Sequence, residues 1–581
     1  MLIFRLFSVI ILVFLNGCAS SPEKPSAQEE VVEPVKIAEP KKKTEQSEVK
    51  TAIDPDVMYM LMAAELAGQR GQYAIALEGY MEAAKRVSDP RFAERAAKIA
   101  MYMRDSNKTD EAISLWLKQD PNNPTARKIA ALSALRAGNK QAAVEHLSAV
   151  LKTDPAGFEK SALELASVLQ RDGKSGFFYG VLDSVGEKNP DQAVVYFVQS
   201  LLAAEMKNNA LAEKKVQQAL NIQPDWDKAL VFQAQIAVFS GDLNKAKTLL
   251  RNASLKYPEN DKFKKLLAQV LIKATEYEAA SEVYQGIILS NPKDAESQIA
   301  LALVYLQLNR DGKAEDIFKQ LLDQPEWQNQ ANFYLGKIEE KREHTQKALA
   351  WFDKVTEGPF VFESTISAVS LLVKDKKFDE ADARLNLLSE QFPKQKLRII
   401  LMRAGLYGQQ GQYEKAFKLL TETMAGQPDQ RDLLYARALM AERLNKLDVL
   451  EADLKKILAK YPDDAEALNA LGYSLLGNAG RYADAEKYLQ QALNLQPNEA
   501  VIMDSFGWLQ FKLGRLEQAL GYLERAYAKQ QEGEIAAHLA EVLWALGRKE
   551  EARKVFSKAI KKAPEDEYLL DFKNRLLSGE E

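Results

Sequence analysis

The sequence is poor in the residues from which reactive centres are built. It has one cysteine, Cys18, and three histidines, His146, His344 and His538, among 581 residues. A single thiol cannot close an internal disulfide, and three imidazoles in separate stretches do not have the spacing of a metal site. No phosphate-cradling glycine loop, metalloprotease helix motif or nucleophile elbow is present. The one serine-lysine pattern, Ser21-x-x-Lys24, lies in a proline-rich stretch with no scaffold to hold it. Neither sign of charge is in excess: 78 Lys and Arg stand against 82 Asp and Glu, a net charge of -4. No basic stripe therefore argues for nucleic acid. These absences leave no catalytic residues, no cofactor and no metal to assign, so the reading is of a protein that is not an enzyme.

What is there begins with a short apolar run. Arg5 precedes Leu6 to Leu15 and then Asn16-Gly17-Cys18; spanning a bilayer takes roughly 20 apolar residues, and this run falls short. Residues 1–17 read as a secretory signal peptide. Leu15-Asn16-Gly17-Cys18 resembles the bacterial lipobox, which implies cleavage before Cys18 and acylation of that residue; the other reading is an ordinary cleavage site with an incidental cysteine. Several acyl chains at about 0.8 kcal/mol per buried methylene make a stable anchor. By resemblance to bacterial sorting rules, Ala19-Ser20, with no aspartate, implies the outer membrane, on its periplasmic face. Residues 18–53 read as a tether, because Pro22, Pro25, Pro34 and Pro40 stand among glutamates and lysines with little apolar surface to bury.

From Val57 onward one pattern repeats. Its cleanest copies are Gly507, Gly514, Ala519, Leu523 and Ala526, then Ala540, Gly547, Ala552, Phe556, Ala559 and Pro564. Small residues at the first and third positions allow two antiparallel helices to cross closely. The intervening glycine can take the left-handed conformation that ends the first helix, and the proline ends the second. A period of about 34 with these residue types is the tetratricopeptide (TPR) signature. It predicts an all-α solenoid of about fifteen helical hairpins over residues 54–566, with a capping helix and tail at 567–581.

The second small position is held by Ala76, Ala112, Ala143, Ala212, Ala246, Ala280, Ala314, Ala348, Ala381, Ala416 and Ala485. Phe178 and Leu450 stand there in two other units, which predicts that both hairpins splay. Turns are expected at Gly71, Gly138, Gly173, Gly241, Gly411, Gly480, Gly514 and Gly547, and at Asn107, Asn309 and Asn445. Lys207, Thr275, Glu343 and Lys376 replace the turn glycine elsewhere. One extra residue between Gly472 and Gly480 predicts a longer turn without loss of phase.

With the small residue of the first helix numbered 8, positions 4, 7, 8 and 11 pack on the second helix, and 5, 9 and 12 fall opposite. In TPR proteins that opposite side lines a concave groove. On the last three units it carries Asn469, Tyr473, Asp504, Trp508, Phe511, Glu541 and Trp544, with His538 beside them. These are the candidate protein-binding residues. Trp508 is read as groove-facing; Phe511 as packing on a neighbouring helix in place of Gln510; Trp544 as either; His538 and Glu541 as solvated. Six methionines, Met58, Met60, Met62, Met81, Met101 and Met103, gather in the first units, where filling the end of the core is the favoured role and a partner surface the other.

Lipobox, tether, long TPR array and the closing blocks LNALGYSLL, DSFGWLQFKLGRLEQALGYLERAY and EIAAHLAEVLWALGRKEEARKVF together resemble the large outer-membrane TPR lipoproteins of Gram-negative bacteria. One of those is the adaptor and activator of a periplasmic carboxy-terminal processing protease. The resemblance implies protein partners, namely such a protease and its peptidoglycan-hydrolase substrates, and a membrane contact through Cys18. It carries over no residue position by position. The alternative is an assembly lipoprotein of a secretion, pilus or outer-membrane protein machine.

Overall fold

The computed structural model describes residues 54–577; the signal peptide, Cys18 and the tether lie outside the described residues. Among the described residues there are thirty-one α-helices and no strand. None of these helices is long and apolar enough to cross a membrane. Seven pairs of successive helices pack as hairpins within the first unit and seven within the second, and Glu567–Phe572 follows alone. The chain divides into two compact units, the first ending at Ile317 and the second beginning at Phe318.

Each hairpin forms for the local reasons the sequence suggests. Helices open on short polar caps: Asp54, Asp105, Asn123, Asn139, Asp242, Asp464 and Asp566 accept hydrogen bonds from backbone N–H groups of the first turn, satisfying donors that have no partner within the helix. All eleven alanines at the second small position are 0% exposed, as are Ala519 and Ala552. A Cβ on Gly507 would sit 2.8 Å from Leu523 Cγ and 3.2 Å from Tyr522 Cβ. That closeness explains the small residue.

The turns differ from expectation at two points. Gly71, Gly138, Gly173, Gly241, Gly411, Gly514 and Gly547 have positive φ, as do Asn309, Asn445, Lys207, Thr275, Glu343 and Lys376. Asn107 does not: it lies inside helix Ser106–Gln119, and Arg104, φ 58°, makes that turn. Gly480 is not left-handed either. The extra residue there is absorbed by two 3-10 turns, Leu475–Gly477 and Ala479–Arg481, with Asn478 accepting from the Gly480 N–H at 3.0 Å. Helix Tyr482–Leu495 then resumes in phase, with Ala485 buried.

Only one of the two expected splayed hairpins splays. Phe178 is fully buried, and its helix, Ser175–Lys188, packs more on Lys140–Thr153 and Ala193–Glu205 than on its own partner, Phe158–Arg171. Leu450 is also buried, yet Leu447–Lys460 packs closely on Arg431–Arg443. A branched aliphatic chain fits a crossing built for alanine; a phenyl ring does not.

The methionines divide as well. Met81 is buried in the core, whereas Met58, Met62, Met101 and Met103 are exposed. Core filling therefore fails for most of the cluster; Met58 and Met62 lie on the outer face of the first helix, which has no neighbouring helix among the described residues.

Candidate functional site

The second unit brings most of the candidate residues together, but as an interior and not as an open groove. The first helices of its last three hairpins, Ala465–Ser474, Ala500–Lys512 and Gly533–Ala545, present positions 5, 6 and 9 to one another. Asp504 and His538 are each 4% exposed, and His538 Nδ1 lies 3.0 Å from both carboxylate oxygens of Asp504. The expectation of a solvated His538 is thus overturned. Asn469 is also buried, and its Oδ1 has no hydrogen-bond partner. Trp508 stacks on the imidazole, centroids 4.0 Å apart and planes 16° from parallel, and on Phe511 at 4.8 Å. Both rings are half-buried, and Lys512 Nζ lies 4.6 Å above the indole.

Tyr473 closes the cluster from the other side. Its hydroxyl donates to Glu534 Oε1 at 2.6 Å, across sixty-one residues of sequence. Burial first, and then the Glu534 carboxylate, push the Tyr473 phenol far above its ordinary range. Burial likewise raises Glu534, against the opposing hydrogen bond from Tyr473 and the nearby His538. Glu442 is raised too, by burial and then by Glu534. A carboxylate withdrawn from water without a cation disfavours its charged form, so the interior of this unit holds acids that resist ionisation.

The C-terminal helix covers the edge of the cluster. Tyr568 faces Glu534 and lies 6.2 Å from His538; Arg443 holds Glu567 at 2.5 Å; Arg575 grips Glu541 at 2.6 Å and 3.2 Å. Trp544 meets Phe572 edge to face at 6.1 Å. Glu541 and Trp544 are therefore half-buried by the cap.

Glu534, Glu442, Tyr568 and Arg443 escaped the sequence reading. Glu534 stands at position 2, three residues before position 5 and one turn along the same face, so extending the stripe backward would have found it. Glu442 stands at position 12 of the preceding first helix, Arg431–Arg443, so the same stripe carried one unit back would have found it, with Arg443 beside it; Tyr568 comes from the last helix, which has no periodic relation to the stripe.

Asp504, Glu534 and His538 place one ligand atom each within 4.8 Å of one another, a set that could hold a cation. Each side chain already has a protein partner: His538 is bonded to Asp504, and Glu534 to Tyr473. These three side chains are thus engaged with protein partners, and no nucleophile with an activating base is among the members of the cluster.

The open apolar site lies in the first unit. Helices Asp227–Phe239, Asp261–Lys273 and Ala295–Gln307, at the same place in three successive repeats, enclose a pocket of about 180 Å³. Val231, Val238, Phe239, Leu266, Val270 and Leu303 are among its walls. Lys265 stands at its edge, paired with Asp294 at 2.7 Å.

Comparison with known proteins agrees with this architecture. Three tetratricopeptide repeat models match, at residues 97–158 and 505–567, 237–302, and 463–532. The chain is similar to TPR repeat-containing protein PA4667 of Pseudomonas aeruginosa, 29% identical over 538 residues that cover 91% of this chain and 89% of that one. It is also similar to TPR repeat-containing protein MJ1428 of Methanocaldococcus jannaschii, 23% identical over 64% of this chain and 70% of that one. Among solved structures, a thermophilic TPR protein of Thermus thermophilus, TTC0263, is 25% identical, covering 31% of this chain and 97% of its own, with a TM-score of 0.29. The packed helical hairpins of the two units and the repeat models that fall on them make this chain a tetratricopeptide-repeat solenoid.

Proposed function

We propose that the protein is a non-enzymatic adaptor, anchored at the outer membrane through Cys18, that holds a periplasmic carboxy-terminal processing protease and cell-wall hydrolases together. The observation that supports a binding role is the 180 Å³ pocket in the first unit. Its walls are almost wholly apolar, and an engineered protein cavity of about 150 Å³ is known to accept benzene. A partner segment presenting one leucine or aromatic side chain would fill it, and an anchor of that kind can be worth about 2 kcal/mol or more.

The protease and its substrates come from the family resemblance, with the likeness to PA4667 along most of both chains extending the TPR part of that resemblance. The C-terminal candidates Asn469, Asp504 and His538 are buried, so the docking role moves to the first unit. The test is to capture partners from envelope extract with the wild type and with Val238→Glu, and to identify them by mass spectrometry. A carboxy-terminal processing protease should be recovered with the wild type and lost with the variant. Recovery of secretion or pilus components in its place would select the assembly-lipoprotein alternative.

A further inference from the structure

The two ends of the repeat array are finished differently. At the C-terminal end, Leu569 and Phe572 of the last helix are buried against the preceding hairpin, the arrangement expected of a capping element. At the N-terminal end, helix Pro55–Gln69 buries Val57, Ala64 and Ala67 on one side. Its opposite side carries Met58, Tyr59, Met62 and Leu66, exposed by 54%, 74%, 61% and 51%. Successive helical residues turn by about 100°, which sets these four together, centred about half a turn from the buried three. No charged side chain interrupts them; Glu65, at their edge, accepts a hydrogen bond from the Tyr80 hydroxyl. Tyr73 and Tyr102, 4.8 Å apart and both exposed, add aromatic rings at the same end. Arg70 and Arg104, at the turns beside them, form no ion pair among the described residues.

Polarizable and aromatic apolar side chains with flanking arginines make up the composition that settles at a lipid headgroup boundary. We infer that this end face docks on the bilayer, the second contact of a chain held there by its acylated Cys18; the inference rests on the lipid-anchor reading above. Residues 18–53, read from their sequence as a tether, join Cys18 to Asp54, the cap of this helix, and a tether of that many residues reaches on the order of 30 Å. A face tethered so close to a surface meets it at high effective concentration, so weak intrinsic affinity is enough. One face of a 15-residue helix is too small for the roughly 800 Å² per partner that a stable protein complex buries, which disfavours a second copy of the chain. The bound state sets the first unit end-on to the membrane.

The test uses the full-length acylated protein in vesicles of phosphatidylethanolamine and phosphatidylglycerol. Met62→Cys and, as a control, Leu255→Cys, a highly exposed site on another helix of the same unit, are each labelled with an environment-sensitive thiol fluorophore. Acylated Cys18 does not react with it. The mass of the N-terminal peptide reports acylation independently of fluorescence, and the melting curve reports folding. Docking predicts that the label at 62 shifts to the blue and is quenched several-fold more by headgroup-proximal spin-labelled lipid than the label at 255. Equal, weak quenching at both sites in a chain of acylated mass overturns the inference and leaves the anchor standing. Energy transfer between labels at 62 overturns it in favour of a second copy. A mass without acyl chains overturns the anchor reading, and the inference with it.

Discussion

The imidazole of His538 lies face to face with the indole of Trp508 at 4.0 Å and is hydrogen-bonded in its own plane to Asp504. The two residues stand on successive hairpins, so the stack ties helix Gly533–Ala545 to helix Ala500–Lys512. A tryptophan at a groove position is thereby used to join repeats.

Trp508→Ala should therefore destabilise the second unit. For a half-buried indole stacked on two rings, the cost is about 1 to 3 kcal/mol. Hydrogen exchange should quicken in helices Ala500–Lys512 and Gly533–Ala545, with partner capture from envelope extract unchanged. Loss of capture with an unmoved melting curve would return Trp508 to the binding surface.

His538→Ala leaves the Asp504 carboxylate buried without its partner, and about 3 kcal/mol of stability should be lost. Asp504→Asn in the same chain should restore part of it, since a neutral amide is less costly to bury. Denaturant unfolding of the single and double variants measures the coupling.

Glu534 has its pKa raised by burial, and Asp504, Glu442, His538, Tyr473 and Tyr568 face it. For an acid raised in the folded state, the native form binds more protons, so its contribution to stability is present below the unfolded pKa. It is lost as pH rises through the folded value. Glu534→Gln should accordingly raise the melting temperature at neutral pH and have little effect near about pH 4. An equal gain at both pH values would refute the role of ionisation.

Thr275 makes its turn at φ 61°, a conformation unfavourable for a β-branched residue. Thr275→Gly should stabilise the first unit by about 1 kcal/mol, read as a higher denaturant midpoint.

Cys18→Ala should leave the chain without acyl modification. Cell fractionation checks it: the variant should leave the outer-membrane fraction, and a variant that stays there as an integral lipoprotein would contradict the lipobox reading.

The sequence by itself determined the hairpins. Small residues at Gly507, Ala519, Ala540 and Ala552, turn residues between them and apolar residues at helical spacing act between neighbours in the chain, and those contacts are decided locally. It also marked the irregular sites, Phe178 and the stretch from Gly472 to Gly480, although bulk alone did not tell that Leu450 would fit where Phe178 would not. Tertiary structure decided what the outward positions meet. Tyr473 reaches Glu534 two hairpins later and Arg443 reaches Glu567, contacts that depend on a small rotation from each repeat to the next. That rotation accumulates over several interfaces and is written in no single one of them. It turned Asp504 and His538 inward, while the outer side of the first helix, with no repeat before it among the described residues, kept its methionines exposed.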